Sequence, residues 1–374
     1  MANFENPNSS FFAVKMRGKT YDLSHNFLRS LNFHRKSNDY GTLEFIIEDT
    51  MDLSLEEQLM HLVLNKQEML SFQYGWYNGY KSKWYTGFVS DYKPTFHSNA
   101  AMQLQVQVII SNQPAQPKVK SYKANAPHEV VQQICKEEGW NLVVCDSTDP
   151  FTTAREYTQS NVRSIDFIRE KIEPEATSGG VPMQFYLHND ADGTKAYFVK
   201  MNHYESAIVD DYIFMINAGN MGQVISFDPS YNATATASAA QMAGLLDSET
   251  NELYVYNAEA GAAATQTLAI YNASSPDKMQ QLVANRWYEK NIGSYTATLQ
   301  VYGNPNLEPM RFINIIPFRP DGSIHHTGGV YMITDINDSI SEGAFVTNLG
   351  LVKAAIDGHS PIPFGDIVKL RALR

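Results

Sequence analysis

Between Ala101 and Ile110 the chain alternates regularly between apolar and polar side chains. The apolar positions are Met102, Leu104, Val106 and Val108, and Gln103, Gln105 and Gln107 lie between them. A period of two is the pattern of a β-strand with one buried face. Segments 11–16, 31–36, 43–48, 69–74 and 85–92 are further strand candidates, separated by turn residues. The first part of the chain is therefore predicted to be rich in β-strands.

One helix is predicted among these strands. Ser54 is its candidate N-cap, and Glu57 three residues later would complete a capping box. Its apolar stripe consists of Leu55, Leu59, Leu62 and Val63. Several strands with a single helix predict a β-barrel-like domain over residues 1–112.

A different composition begins after residues 112–118, which contain two prolines and read as a linker. A helix is predicted to begin at Pro127, with Val130, Val131, Ile134 and Cys135 on its buried face, and to end at Gly139. A strand over 140–145, a second helix over 160–172 and a strand pair at 183–187 and 196–200 follow. Residues 119–204 are thus predicted to form a small α+β domain.

The third region, residues 205–360, again favours strands. Candidates lie at 208–216, 224–229, 297–302, 312–318, 330–337 and 345–352. An Ala-rich segment at about 230–270 predicts an irregular insertion, and a helix is expected at about 275–290. A basic tail over 361–374 contains Lys369, Arg371 and Arg374. The expected fold class is α+β, with two β-barrel-like domains flanking a small α+β domain.

Composition restricts the class of protein further. The chain has 374 residues, which is too long for one ordinary core and favours two to four compact units. No apolar run approaches the roughly 20 residues of a membrane helix, and the N-terminus lacks a secretory signal, so we expect synthesis in the cytoplasm and no membrane partner. Two cysteines, Cys135 and Cys145, exclude a disulfide framework and favour a reducing compartment.

The charge balance bears on nucleic acids. A net charge of -11 argues against tight general nucleic-acid binding, which needs clustered Lys and Arg. An acidic protein can still line a passage through which DNA slides, because like charges prevent sticking.

Candidates for catalysis are weak. The adjacent carboxylates are Glu56–Glu57, Glu137–Glu138 and Asp210–Asp211. Neighbouring residues on a helix or strand point apart, whereas glycoside hydrolysis needs two carboxylates that converge on one bond. Segment 177–180 lacks the Lys and the spacing of a phosphate loop. We predict solvated surface groups and no catalytic residue.

Metal and cofactor candidates are equally weak. His325–His326 has no Cys or carboxylate nearby in sequence to complete a ligand set. Asp190 and Asp192 suggest a calcium loop, but Met201 stands where such a loop needs Glu. The remaining candidate histidines are scattered without a nucleophile motif: His34, His61, His97, His128, His188, His203 and His359. No metal site and no cofactor are predicted.

An aromatic run at 72–80, followed by Trp84 and Tyr85, is denser than a core requires. Strand packing around a hairpin is one interpretation. The other is a subunit interface, because Tyr and Trp are favoured at binding hot spots. Trp76, Tyr80 and Trp84 are the candidate interface residues.

Four segments, taken in order, resemble a known family. They are Tyr122–Ile134 followed by Gly139–Trp140, then Ser160–Arg169, Thr296–Pro305, and Tyr331–Ser341 followed by Gly343–Val352. In order and spacing they are similar to the central helix and strand, the polar run before Asp-Phe, the strand before Gly-Asn-Pro, and the closing hairpin of the phage tail baseplate hub family. That family includes late control protein D and the base of the valine-glycine repeat proteins of type VI secretion. The Ala-rich insertion departs from the family's pattern.

The resemblance implies a mechanical role. Three chains with two barrel-like domains each would form a ring of six similar domains, which adapts a sixfold tail tube to a threefold spike. The implied partners are the chain itself as a homotrimer, the tail tube or a tube initiator, a separate spike protein, other baseplate proteins and DNA in passage. The implied location is the baseplate of a virion tail.

Two other classes of function stay open from sequence alone. A tail-associated cell-wall hydrolase would need a convergent carboxylate pair. A receptor-binding tail protein would favour β-repeats, and no such repeat is visible in the sequence.

Overall fold

The computed structural model describes most of the chain, with gaps. The described residues are 9–24, 28–36, 39–49, 53–64, 68–97, 100–111, 116–151, 154–178, 181–190, 193–200, 212–217, 223–231, 241–246, 253–257, 266–269, 295–341 and 343–353. The predicted helix at about 275–290 and the basic tail lie outside these residues, as do Asp210–Asp211, Asp192, His203 and His359.

The described residues of the first part of the chain form seven strands and one helix. In order these are β1 (Ser10–Met16), β2 (Lys19–Asp22), β3 (Leu28–Lys36), β4 (Gly41–Asp49), α1 (Leu53–Leu64), β5 (Leu70–Trp76), β6 (Tyr85–His97) and β7 (Ala100–Ile110). The predicted strands are all present, and Leu104, Val106 and Val108 of β7 are buried as their alternation requires. Helix α1 begins at Leu53, so Ser54 lies within the first turn and is not the predicted N-cap.

The middle part is a small mixed unit. It contains β8 (Lys118–Ala124), α2 (Pro127–Glu138), β9 (Asn141–Cys145), β10 (Arg155–Val162), α3 (Ser164–Phe167) with a π-helical turn (Ile168–Ile172) and a 3₁₀ turn (Glu173–Glu175), β11 (Thr177–Ser178), β12 (Val181–Asp190) and β13 (Gly193–Lys200). Helix α2 has the predicted bounds, because Pro127 fits its first turn and Gly139 adopts a left-handed conformation at its end (φ 68°). Cys135 and Cys145 are free thiols.

The predicted start of the second helix was wrong. Residues 155–162 form β10, which pairs antiparallel with β8, and Asn161 (φ 55°) lies at the β-bulge near its end. Gln159 is buried within β10 and donates to the carbonyl of Val162 and to Ser164. Pairing with β8 therefore holds residues 160–162 in the strand, and the helix begins only at Ser164.

The third part is again mostly strand. It contains β14 (Ile213–Ile216), β15 (Val224–Tyr231), β16 (Gln241–Leu246), β17 (Leu253–Asn257), β18 (Gln266–Ala269), β19 (Tyr295–Tyr302), β20 (Phe312–Pro317), β21 (Gly329–Ser341) and β22 (Ala344–Lys353). The prediction of an irregular insertion was wrong in part, since β16, β17 and β18 form a three-stranded sheet. Hydrogen bonds between these strands supply an order that the weak periodicity of the segment does not show.

Strands of the first and third parts belong to one sheet. Its order is β15-β19-β22-β21-β3-β4-β7-β6-β5-β1-β2, with β20 also paired to β21 and β14 to β20. The connection between the two parts is the antiparallel pairing of Asp335–Ser341 in β21 with Ser30–Lys36 in β3. The described chain is mostly β-sheet with few helices, and the two-barrel layout itself stays a prediction.

Two groups of five strands within this sheet repeat one arrangement. The first sheet unit is β3 to β7, with the order β3-β4-β7-β6-β5, and the second sheet unit is β15 and β19 to β22, with the order β15-β19-β22-β21-β20. Chain order and spatial order therefore correspond strand by strand. Helix α1 connects the second and third strands of the first sheet unit, and residues 303–311 connect those of the second.

The pairing of individual residues across the strands shows which residue of one sheet unit corresponds to which residue of the other. In the first sheet unit a single row across four strands is Asn32, Glu44, Gln107 and Asp91. In the second sheet unit the corresponding row is Asp228, Thr298, Gly350 and Asp335. Register shifts fall at equivalent places, after Leu28 in β3 and Val224 in β15, and after Val89 in β6 and Ile333 in β21. A further shift in the β6–β7 pairing, between Thr95 and His97, has no counterpart between β21 and β22. The chain thus contains two copies of the same sheet.

Each sheet unit has its own core. The core of the first sheet unit includes Leu31, Phe45 and Val106, and it also takes in Ile340 and Phe345 from the tip of the β21–β22 hairpin. The core of the second sheet unit includes Leu299, Ile336 and Leu351. The middle part packs on the second sheet unit through a smaller cluster: Tyr186, Val199, Met310, Phe312, Val330 and Met332. Among the described residues, no helix is long and apolar enough to cross a membrane.

Candidate functional site

The place where β21 meets β3 carries a buried charged group on each strand. Arg35 of β3 is 5% exposed and Asp338 of β21 is 0% exposed. The Arg35 guanidinium forms an ion pair with the Asp338 carboxylate and donates to the carbonyl oxygen of Leu307 (2.6 Å). A buried charge is tolerated only with partners of this kind, so the pair fixes which strands meet here.

Asp338 accepts two further hydrogen bonds, one from each sheet unit. Tyr74 of β5 donates its hydroxyl to Oδ2 (2.6 Å), and Thr347 of β22 donates to Oδ1 (2.6 Å). Thr347 in turn accepts from the backbone N–H of Asn304 (3.0 Å). Both carboxylate oxygens are therefore satisfied inside the protein.

Burial and charge both act on the pKa values of this network. Burial opposes the charge on Arg35, but Tyr74, Tyr85 and Asp338 together raise the pKa of its guanidinium. Burial also raises the pKa of the Tyr74 and Tyr85 hydroxyls, which stay neutral hydrogen-bonding groups. The network is thus one permanent cation held by a carboxylate and neutral phenols.

A loop of the second sheet unit is held against the first. The indole Nε1 of Trp76 donates to the carbonyl oxygen of Gly303 (2.7 Å), and the Trp76 ring lies 5.3 Å from that of Phe345. Lys83 pairs with Glu308 (3.3 Å) at the surface end of the same loop. Residues 303–308 are therefore attached to the first sheet unit at both ends and at Leu307 between them.

All three parts of the chain meet beside this network. A cavity of about 50 Å³ is lined by residues of each part, among them Tyr85, His188 and Glu308. The ring of His188 lies 6.0 Å from that of Tyr85. Space of this size holds a few waters, whereas sites for small-molecule ligands begin at about 300 Å³. The cavity belongs to a structural joint.

The structure separates the three predicted interface residues. Trp76 is 6% exposed and makes the internal contacts described above, so the interpretation of packing within the chain applies to it. Tyr80 is 45% exposed on the β5–β6 turn. Trp84 is half-buried. A role in subunit contact for Tyr80 and Trp84 stays a prediction.

Three of the predicted surface carboxylates have structural partners. Glu137 and Glu138 at the end of α2 bind Lys120 and Lys118 of β8, both at 2.5 Å. Glu56 of α1 accepts a hydrogen bond from Tyr92 (2.9 Å). These contacts attach helices to strands.

The histidine pair forms a local turn. The rings of His325 and His326 are 4.1 Å apart, and Nδ1 of His325 lies 2.8 Å from the hydroxyl of Thr327. Burial, followed by the charges of His326 and Arg319, lowers the pKa of His325. Within the described ranges, no three His, Cys, Asp or Glu side chains are placed to hold a metal ion.

Sequence reasoning missed Arg35 and Asp338. Arg35 follows Leu31 and Phe33 at the spacing of one strand face, and Asp338 follows Ile336 in the same way. A charge on the apolar face of a strand was the available signal, because such a position is buried if the alternation continues.

Comparison with known proteins gives a consistent answer. No protein-family model matches the chain, and no curated protein matches it by sequence. Solved structures do match over almost its whole length. A tail protein from Neisseria meningitidis MC58 has a TM-score of 0.63 at 10% identity, covering 93% of this chain and 98% of that one. The 43 kDa tail protein of prophage MuSo2 from Shewanella oneidensis has a TM-score of 0.60 at 12% identity, covering 92% and 98%.

A third similar structure comes from a secretion system. It is an E. coli component of type VI secretion, described as similar to the phage T4 tail proteins gp27 and gp5, with a TM-score of 0.55 at 11% identity and coverage of 93% of this chain and 79% of that one. The resemblance stated from the sequence is confirmed in the structural neighbours, which are phage tail and type VI secretion proteins. The chain therefore has a fold shared by phage tail proteins and by a component of the type VI secretion system.

Proposed function

We propose that the chain is a structural hub of a phage tail baseplate or a related injection machine. In this role three copies close into a ring that joins a sixfold tail tube to a threefold spike. The observation that carries the proposal is the repeated sheet, since one chain holds two equivalent units joined edge to edge. Three such chains supply six equivalent units, which is the number that a sixfold tube presents.

The joint between the units supports a mechanical role. A ring that connects two assemblies has to keep its units at a fixed angle. The β21–β3 pairing and the buried pair of Arg35 and Asp338 hold two of the six units together within one chain. We expect this intrachain joint to act as a rigid segment of the ring.

The face of the sheet opposite the cores suits a passage for DNA. In the first sheet unit it presents Gln103, Gln105 and Gln107, and in the second Thr298, Gln300 and Asn348. Amide side chains are tied across it, as in the hydrogen bond from Gln300 to Asn348 (3.0 Å). The same face carries the carboxylates Glu44, Asp91, Asp228 and Asp335, which outnumber the lysines Lys36 and Lys93 beside them. A polar face with an excess of carboxylates repels phosphates, so DNA would pass without specific binding.

Partners and location follow from this role. We propose a homotrimer that contacts the tail tube or its initiator, a separate spike protein and other baseplate proteins, and that resides in the virion tail. Tyr80, exposed on the β5–β6 turn, and Trp84 beside it are proposed contacts with one of these partners.

Solution mass tests the proposal. Light scattering on the purified full chain, alone and mixed with the spike protein, should give the mass of three copies in at least one condition. A monomer in both would contradict the hub role. The lumen has its own test, because replacing Glu44 and Gln107, which lie away from both sheet edges, with Lys should slow genome ejection; unchanged infection would contradict a passage lined by this face.

A further inference from the structure

The repeated sheet specifies how one chain meets the next. Within the chain, the second half of β21 (Asp335–Ser341) pairs with β3. The counterpart of β21 in the first sheet unit is β6, and the counterpart of β3 in the second sheet unit is β15. We propose that Asp91–His97 of β6 pairs antiparallel with β15 of a neighbouring copy, which repeats the internal joint between chains. This inference rests on the proposed ring.

Neither edge has a second strand along it in the described structure, although helix α1 contacts β6 through the hydrogen bond from Tyr92 to Glu56. Strand β6 pairs with β5 over Tyr85–Gly87 and with β7 from Phe88 onward, so among the described residues its outer edge beyond Gly87 has no strand beside it. Strand β15 pairs with β19 along one edge, and no described strand lies along the other. Unpaired edges of this length are sites at which another chain can add a strand.

Side-chain exposure distinguishes the open edge from the closed one. Ile340 of β21 is 2% exposed because it lies in the core under β3. Its counterpart in β6 is Phe96, which is 76% exposed. An exposed Phe at the position where the internal joint buries an Ile indicates a surface that a second copy covers.

Strand β15, the proposed partner of β6, also has apolar side chains that are incompletely buried. Leu31 of β3 is 0% exposed, and its counterpart in β15 is Phe227, which packs only partly buried against the core of the second sheet unit. Ile225, at the start of β15, is 44% exposed. Phe96 of one copy would therefore cover Phe227 of the next, as Ile340 covers Leu31 within the chain.

The register of the β21–β3 pairing within the chain determines the register that we propose between β6 and β15 of neighbouring chains. Asp335 pairs with Lys36 and Ser339 with Asn32 at the internal joint. Transferring this register by the equivalent rows places Thr95 opposite Asp228 and Phe96 opposite Phe227.

Two prolines make the proposed contact weaker than the internal joint. In this register Pro94 of one copy stands opposite Pro229 of the next. Neither has an N–H, so this pair adds no ladder hydrogen bond, and proline on an open edge also discourages pairing with wrong partners. We expect chains that stay separate at low concentration and a ring that depends on Phe96 and on correct closure.

Cysteine cross-linking tests the register directly. Residues opposite each other on antiparallel strands lie within the roughly 4.4–6.8 Å between Cα atoms that a disulfide needs. The double variant T95C/D228C, oxidised under the conditions in which the chain forms its ring, should give covalent trimers on a denaturing gel. A 1:1 mixture of the T95C and D228C single variants should give covalent dimers and stop there.

A matched control uses the internal joint. Ser339 and Asn32 are the counterparts of Thr95 and Asp228, so N32C/S339C should form a disulfide within one chain under the same conditions. Wild-type chain, with Cys135 and Cys145, should show no covalent ladder. Success of the internal pair establishes that this row has the geometry for a disulfide.

The outcomes separate the inference from the proposed function. Trimers by light scattering without a cross-link in T95C/D228C, while N32C/S339C closes, would overturn the β6–β15 pairing and leave the ring intact. Absence of trimers in every condition would overturn both. As a second variant, F96D should raise the Kd of assembly at least about tenfold with unchanged thermal stability, whereas L64D, at an equally exposed Leu on α1, should not. Equal effects of the two would count against Phe96 as the contact.

Discussion

Arg35 and Asp338 form a buried ion pair that joins two strands 303 residues apart in the chain. Arg35 lies in the first sheet unit and Asp338 in the second, and their side chains are 6% and 0% exposed. Because the partners of Asp338 come from both units, the pair couples the folding of the first part of the chain to that of the third.

Removal of one member of this pair should be strongly destabilising. In D338L or R35M an unpartnered buried group is left behind, and the expected loss is about 3–5 kcal/mol in the free energy of unfolding. Chemical denaturation followed by tryptophan fluorescence measures it. The apolar double variant R35M/D338L should recover part of the loss, since no buried charge then lacks a partner; strict additivity of the two changes would contradict a coupled pair.

Trp76 should contribute to the stability of the monomer. In W76F the ring can still pack on Phe345, but the carbonyl of Gly303 loses its donor, which should cost about 1–3 kcal/mol. The half-buried Trp84 serves as the control, and W84F should change stability less. If W76F is as stable as the wild type but assembles poorly, Trp76 acts in a subunit interface and not in the packing of the monomer.

Close packing at Gly303 gives a separate prediction. A Cβ at this position would lie 2.1 Å from the ring of Phe345, so G303A should lower the free energy of unfolding by about 1–3 kcal/mol. G303A/F345L should be less affected than the sum of its single changes, because a smaller side chain relieves the clash. Thermal unfolding of the wild type, G303A, F345L and G303A/F345L measures the four stabilities. If the losses of the two single variants add up to that of the double variant, the two residues are not in contact.

Acid should weaken the contact at Glu308. Burial would raise the pKa of this carboxyl, but His188, Lys83 and Arg311 outweigh burial and hold it below its ordinary value. A depressed pKa means that Glu308 stabilises the fold at neutral pH and that this contribution is lost as the pH falls below about 4.5, through the lower pKa of the folded state. We expect E308Q to lose about 1 kcal/mol or less at pH 7 and to show a shallower decline of melting temperature in acid. The control is E156Q, at an exposed glutamate of β10, and an identical pH profile in both would contradict the role of Glu308.

Local sequence determined the elements whose pattern is strong. Alternation between residues 101 and 110 predicted β7, and Pro127 and Gly139 set both ends of α2, because backbone preference and burial agree at these positions. The weakly patterned or polar segments were missed or misread: β2, β8, β10, β11 and β16 to β18. Their strands exist because a partner strand supplies hydrogen bonds, and a partner is not encoded in a local window.

The family resemblance was also available from sequence, through the order of segments between Tyr122 and Val352. Sequence similarity did not show the internal repeat, since equivalent positions such as Phe33 and Pro229 or Arg35 and Tyr231 share neither size nor polarity. Only strand register and the placement of bulges relate the two sheet units, because backbone geometry persists where side chains have diverged.

Sequence by itself therefore determined which stretches are extended or helical and that a mechanical tail protein is the class to expect. Tertiary structure decided which edges are closed and which are open. Asp338 is buried because β3 covers β21, whereas Phe96 at the matching strand is exposed because no described strand covers β6. The difference arises from contacts between residues hundreds of positions apart, whose burial depends on the completed sheet and not on any local pattern.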